Sequence, residues 1–338
     1  MSGTVFALGT FSPAGGGERF GAVVVGERAV AIGRARRWLA EQGAELRGGG
    51  QSVLSVLDHW QHNFPLLQRV ASELGNGGGE PVASLAIHPP VDLPGQIYCS
   101  GANYKKHVVQ IIIAQAMDET RNMSAEERRV FGQKKMDERA ESGTPYFFIK
   151  ARSAVTGPTD PVVIPADVKQ ADWELELGVV IGRRARRVKR ENALDYVAGY
   201  TIVNDITSRE RVNRRAGDVR EMGMNWVSSK SSPTYLPVGP YLVPAAFVPD
   251  PQRLQLTLKL NGKTMQDEST EDMIFGVARL IEDVSTYVEL QPGDLICTGS
   301  PAGNGMHYGR FLQPGDVMES TITHLGTQRN TCVAEGKE

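Results

Sequence analysis

The chain has 338 residues, enough for one large domain or two unequal ones with a full core. Hydrophobic residues make up 41% and charged residues 22%, the balance of a soluble globular protein. The formal net charge of −2 supplies no global field for nucleic acid or an anionic membrane. The three cysteines, Cys99, Cys297 and Cys332, lie far apart and form no CxxC pair. That argues against a disulfide framework or a zinc cluster and fits a reducing compartment. The start, "MSGTVFALGTF", lacks the basic end and long apolar stretch of a signal peptide, and no apolar run reaches the length of a membrane span. A cytoplasmic protein is expected, with no membrane and no nucleic acid among its partners.

In chain order, residues 1–90 read as a small N-terminal domain. "FGAVVVGERAVAIG" (20–33) predicts two short strands about a turn at Gly26-Glu27. Over 51–75, Val53, Leu54, Val56, Leu57, Trp60, Phe64, Leu66, Leu67 and Val70 recur at helical spacing, with Pro65 expected to break or kink the helix. "GNGGGEP" (75–81) reads as a linker. The second domain, 91–338, opens on "LPGQIYCSGANY" (93–104), a strand running into a glycine-rich turn. Residues 105–142 read as helical, with Ser124 and Glu127 spaced as a capping box. Strands are predicted at 145–149, 161–164, 173–182, 197–206, 236–243, 254–260 and 294–298, and a helix at 271–289. The basic run "RRARRVKR" (183–190) directly follows a strand and reads as a solvated turn.

The stretch "QADWELELGVVIG" (170–182) poses a physical question. Trp173, Leu175, Leu177, Val179 and Ile181 alternate onto one strand face, and Asp172, Glu174 and Glu176 onto the other. Residues two apart on a strand lie ~7 Å apart and point the same way, so the two glutamates repel. A solvated strand edge with salt bridges is one explanation. A divalent cation held between them is the other. A third acid, Asp205, ends the apolar strand in "AGYTIVNDITSRE" (198–210), either as an Asx-turn or as a further ligand. An all-carboxylate set suits Mg²⁺, Mn²⁺ or Ca²⁺ rather than zinc or copper.

"WELELGVVIGRRAR", "YTIVNDITSRE", "SKSSPTYLPVGPYLV", "NGKTMQDESTEDMIF" and "LQPGDLICTGSPAG" follow one another in the order seen in the fumarylacetoacetate hydrolase family. The resemblance runs from about Gln96 to about Thr331. It implies an α+β fold, mainly β, a mixed β-sandwich roll with a small N-terminal α/β region. It implies Mg²⁺ or Mn²⁺, sometimes Ca²⁺, on Glu174, Glu176 and Asp205, and a homodimer. The substrates it implies are β-diketo or 2-oxo acids, handled by C–C hydrolysis, decarboxylation, isomerisation or hydration. Lys230 matches a lysine near the metal that stabilises an enolate or carboxylate. His107, in "GANYKKHVVQ", matches the family's catalytic histidine, and such a side chain suits water activation. Tyr104, Lys150, Arg209 and Ser300 match positions expected to contact substrate.

Two residues depart from the family pattern. Gln110 stands where many members carry the glutamate that completes a dyad with the histidine. It can orient an imidazole but cannot stabilise imidazolium by charge. Val212 stands where many carry glutamine. The segment 111–142 is also long, and one of its acids, Asp118, Glu119 or Glu138, is a candidate partner for His107. The expected activity is hydrolysis of an acylpyruvate or related β-diketo acid, as in aromatic catabolism. The alternatives are a decarboxylase, hydratase or isomerase on similar 2-oxo acids, and a ligand-binding member without catalysis.

Overall fold

The computed structural model describes residues 4–74, 77–114, 118–212 and 223–336. An N-terminal antiparallel sheet has the order Glu80–Pro81, Arg28–Ala31, Phe20–Val25, Ala7–Pro13, Leu85–His88. The Gly26-Glu27 turn joins Phe20–Val25 to Arg28–Ala31 as the sequence predicts. The end of the expected linker is a strand, Glu80–Pro81 pairing with Arg28 and Ala29, while residues 75–76 lie outside the described residues. The helical pattern at 51–75 forms two helices, Val53–Leu57 and Trp60–Leu74. The break falls at Asp58-His59, and Pro65 sits inside the second helix.

The remainder is built on two packed sheets. The first has six strands in the order Val243–Pro244, Val197–Asn204, Leu175–Ile181, Leu295–Cys297, Ile97–Ser100, Phe147–Ile149. Its neighbours are antiparallel except Leu295–Cys297 with Ile97–Ser100. The second has the order Lys263–Ser269, Gln255–Leu260, Val317–Ile322, Gly326–Ala334, Val162–Ile164. Leu175 and Leu177 from the first share a core with Leu256, Leu258 and Met318 from the second. The N-terminal sheet joins this body through the reciprocal backbone bonds of Leu8 and Leu242, both 2.8 Å.

The strand Leu175–Ile181 is buried along its whole length. It is central in its sheet and packed on both faces, which accounts for its β-branched run and leaves no solvent on the glutamate side. Glu174 lies just before the strand begins, and Asp205 just after Val197–Asn204 ends. The predicted strand at 236–243 exists only as the short pieces Leu236–Pro237 and Val243–Pro244. The predicted helix at 271–289 begins later, at Val277, and runs to Tyr287. Met273 and Ile274 precede it in a bend whose backbone is held by Asn103. Residues 105–142 form two helices, Lys105–Ala114 and Ala125–Ser142, and the Ser124–Glu127 capping box is present. The cations of 183–190 are absorbed locally: Arg184 pairs with Glu289, Arg190 with Glu282, and Arg186 donates to Ser285 and Thr286 carbonyls. The three cysteines are free and buried. No helix among the described residues is long and apolar enough to cross a membrane.

Close backbone packing in the six-stranded sheet depends on Gly199, where an added Cβ would lie 2.2 Å from the Val243 carbonyl oxygen. Gly199→Ala should lower stability by about 2 kcal/mol, read as a drop in thermal or urea midpoint.

Candidate active site

Four structural units converge on one buried point. Glu174 and Glu176 come from the start of Leu175–Ile181. Asp205 follows Val197–Asn204, Lys150 follows Phe147–Ile149, and Lys230 ends the short helix Trp226–Lys230. Backbone bonds set the carboxylates: Asp205 N donates to Glu174 O at 2.8 Å, and Glu174 N to Asn204 Oδ1 at 2.9 Å. One ligand oxygen from each of Glu174, Glu176 and Asp205 lies within 4.8 Å of the others, and all three residues are buried.

The surrounding cations are distributed unevenly. Lys230 Nζ donates to Glu174 Oε2 at 2.7 Å, to Asp205 Oδ2 at 2.6 Å and to the Asp205 carbonyl at 3.1 Å. Lys150 Nζ takes the other Asp205 oxygen at 2.5 Å and the Ile206 carbonyl at 3.0 Å. Arg209 bridges Asp172, Nε to Oδ2 at 2.8 Å, and Glu174, Nη2 to Oε1 at 2.6 Å. Glu176 receives only the Gly299 N–H, at 2.7 Å, and no salt bridge among the described residues.

The carboxyl groups diverge accordingly. Burial works against ionisation of Glu174, but the charges of Lys230 and Arg209 prevail and hold it at about 2. Burial, reinforced by the Asp205 charge, pushes Glu176 well above the carboxylate range. Glu176 is thus a buried acid beside Glu174 and Asp205 with no cation of its own among the described residues. A hard divalent ion is the group that this oxygen-only donor set fits. Glu174, Glu176 and Asp205 are the residues that would hold it.

His107 lies on the inner face of Lys105–Ala114 and is 7% exposed. Burial lowers its pKa to about 4, with Glu174 opposing and Arg209 and Lys230 assisting. It is therefore neutral at pH 7, the state a base requires. Its helix is anchored by Asn103, which donates to the Phe275 and Thr298 carbonyls at 3.0 and 2.8 Å. Tyr104 is fully buried, and its hydroxyl is pushed well above its usual range by burial and by Glu176.

Gln110 does not bond His107; its Oε1 accepts from Gly303 N–H at 3.2 Å. Glu119 and Glu138 are exposed, and Glu138 lies near Lys134 and Lys135, so neither meets the buried imidazole. The Asp118 side chain lies outside the described residues. Val212 is half-buried and closes the turn after Arg209. Ser300 is buried in the turn that carries Gly299.

Three residues that the sequence reading did not assign to the site complete it. Asp172 accepts from Arg209 and from the backbone N–H groups of Gly305 and Met306. Gln266 and Asn304 bond Ser300. All three lie in or beside the quoted motifs. The only signal available was a polar residue at a position where the strand or turn did not ask for one.

The profile of the fumarylacetoacetate (FAA) hydrolase C-terminal family matches residues 96–333, and the chain belongs to that family. It is 47% identical over 188 residues to a 2,4-didehydro-3-deoxy-L-rhamnonate hydrolase of Sphingomonas sp., a match covering 55% of this chain and 64% of that protein. It is 29% identical over 306 residues to a mitochondrial oxaloacetate tautomerase of Xenopus laevis, covering 86% and 85% of the two chains. Its fold is similar to the crystal structure of maleylpyruvate hydrolase from Sphingobium sp. SYK-6 in complex with manganese(II) and pyruvate. That similarity has a TM-score of 0.69 at 26% identity, covering 98% of this chain and all of that one.

Two outcomes follow from the site's electrostatics. Glu176→Gln keeps the shape and removes a charge that the metal-free protein disfavours. Its melting temperature without metal should equal or exceed that of the unmodified chain. The stabilisation by saturating Mn²⁺, about 3 kcal/mol at a hundredfold excess over Kd, should disappear, as differential scanning calorimetry would show. In the metal-free protein, His107 binds its proton at about 4 when folded and near ~6.5 when unfolded. The unfolded chain therefore binds more protons between these values. Stability should fall by about 3 kcal/mol as pH drops from ~6.5 to ~4. His107→Gln should flatten that slope in urea titrations across the window.

Proposed function

We propose that this chain is a divalent-metal-dependent hydrolase that cleaves a C–C bond in an acylpyruvate or related 2,4-dioxo acid. The observation that carries the reading is the Glu174–Glu176–Asp205 cluster, lacking a cation at Glu176, beside a neutral buried histidine and two buried lysines. When bound, Mg²⁺ or Mn²⁺, with Ca²⁺ as a further candidate, supplies Lewis-acid polarisation of a 2-oxo-acid oxygen.

The chain's own groups do the rest. Neutral His107 Nδ1 or Nε2 takes a proton from water, and the resulting hydroxide attacks the distal carbonyl carbon. The C–C bond then breaks toward pyruvate, whose enolate carbon recovers the proton. The products are a carboxylic acid and pyruvate. Lys230, held cationic against burial by Asp205 and Glu174, offsets the enolate charge. Arg209 and Lys150 add positive charge around the carboxylates, and Ser300 and Tyr104 offer hydroxyls. Among the described residues, Asp172, Glu174, Glu176 and Asp205 pair with Lys150, Lys230 and Arg209, so with all four ionised one negative charge is left over. A divalent ion reverses that sign, and the site then suits a substrate bearing a carboxylate. The relatives named as hydrolases of 2,4-didehydro-3-deoxy-L-rhamnonate and maleylpyruvate support this class of reaction, and the latter supports a role in aromatic catabolism.

A second reading, tautomerisation or decarboxylation of a 2-oxo acid, is favoured by Gln110. With the Gln110 amide on Gly303, His107 has no carboxylate hydrogen-bond partner among the described residues. One base suffices for a tautomerase, and the relative named as an oxaloacetate tautomerase spans most of the chain. We further propose a cytoplasmic homodimer. Tyr146 and Ile149 beside the edge strand of the six-stranded sheet, and Val227 in the helix packed against it, are exposed, an apolar surface that a second copy would cover.

Turnover of acetylpyruvate, fumarylpyruvate, a 2,4-dioxo sugar acid and oxaloacetate, with Mn²⁺ or Mg²⁺ and with excess chelator, tests these readings. Metal-dependent release of pyruvate from a dioxo acid is the expected result. Enol–keto conversion or CO₂ release from oxaloacetate alone would replace it with the second reading. Metal binding without turnover of any of them would leave a ligand-binding role.

A further inference from the structure

Ser300 follows Gly299, whose N–H bonds Glu176, and its side chain is buried. Its oxygen receives two side-chain amides, Gln266 Nε2 at 3.0 Å and Asn304 Nδ2 at 3.2 Å. An amide can present oxygen or nitrogen depending on which way round it sits. Here the backbone settles both. Gln266 Oε1 accepts from Leu175 N–H at 3.1 Å, and an N–H can only donate. Gln266 Nε2 also donates to the Pro301 carbonyl at 2.9 Å. Asn304 Nδ2 donates to the Trp173 carbonyl at 2.8 Å, and a carbonyl can only accept.

A hydroxyl oxygen has two lone pairs and one proton. With both lone pairs engaged, Ser300 can offer only its proton. The acceptor recorded for it within the described residues is the carbonyl of its own neighbour Pro301, at 3.4 Å, long for an O–H···O bond. The proton is therefore free for a ligand.

We infer that Gln266 and Asn304 are positioning residues that fix Ser300 as a donor-only hydroxyl, so that this corner of the site takes a carboxylate, keto or enolate oxygen and disfavours a ligand O–H or N–H. The inference rests on the reading that the site binds a 2-oxo acid. Gln266 comes from the strand Lys263–Ser269 and Asn304 from the turn before Gly305. The same amides hold Leu175 N and Trp173 O, on either side of Glu174. One set of bonds thus sets both the direction of the donor and its distance from the carboxylates.

The test is calorimetric titration of pyruvate into the full chain with saturating Mn²⁺. Ser300→Ala should weaken pyruvate binding about tenfold, the loss of one hydrogen bond to a charged group, and Ser300→Thr should restore it. Gln266→Met should weaken it by a similar factor, and the Ser300→Ala/Gln266→Met double variant should be no weaker than Ser300→Ala alone. Mn²⁺ affinity should stay unchanged in Ser300→Ala and Ser300→Thr, and the non-additivity of the double variant, read at saturating Mn²⁺ for each protein, is what a merely structural role for Gln266 would not predict. Asn304→Leu reads the same coupling if Gln266→Met does not fold. Full additivity, no effect of Ser300→Ala, or no pyruvate binding by the unmodified chain would each overturn the inference. Pyruvate binding with the expected coupling, but no turnover of any dioxo acid, would overturn the proposed reaction and leave the inference standing.

Discussion

The structure depends on a buried excess of carboxylate. Asp172, Glu174, Glu176 and Asp205 are each 7% exposed or less, and isolated ionised groups at such depth are strongly disfavoured. Three buried or largely buried cations answer them, and each is placed by a different part of the fold. Lys150 closes one edge strand, Lys230 ends a one-turn helix, and Arg209 follows the Asp205 strand. Removing Arg209 would leave Asp172 without its cation, and removing Lys230 would leave Glu174 and Asp205 with one each. The ion-pair set therefore ties these elements to one another at a single point, in addition to the apolar core.

The turn at 299–306 is the second fixed point, and it explains the glycines of "TGSPAGNG". Gly299 has φ +94°, and a Cβ there would meet Asn103 Cβ at 2.8 Å. That close approach brings its N–H onto Glu176. Gly303 has φ +98° and would carry a Cβ 2.1 Å from the Met265 carbonyl oxygen. Its N–H holds Gln110. One turn thus contacts Glu176, the His107 helix and the Ser300 amides, so a change in it would be felt at every part of the site.

Much of this was legible in the sequence because it rests on local rules. Period-two alternation placed Leu175–Ile181, an apolar run placed Val197–Asn204, and the Ser124–Glu127 spacing placed a helix start. The three carboxylates could be grouped because their chemistry is unusual for strands. What was not legible depends on distant contacts. Met273 and Ile274 carry helical spacing, yet the Asn103 side chain takes their backbone region into a bend. Pro65 sits within its helix while the break falls earlier, because tertiary packing of Leu67, Val70 and Ala71 outweighs one missing backbone bond. Gln266 lies 91 positions from Leu175, and no spacing rule connects them.

Gln110 shows how one residue can be read differently with and without the fold. In sequence it marks a missing acid beside His107, a loss. In the structure its amide oxygen ties the Lys105–Ala114 helix to Gly303. An ionised glutamate could accept the same N–H, but it would place a further negative charge near a site that already holds more carboxylates than cations. A neutral amide makes the tie without that charge. It also leaves the electrostatics of His107 to Glu174, the charge that most opposes its loss of basicity. Glu174 is itself held ionised by Lys230 and Arg209. The basicity of the histidine is therefore lowered by burial and partly restored by Glu174, which the ion pairs to Lys230 and Arg209 hold in place.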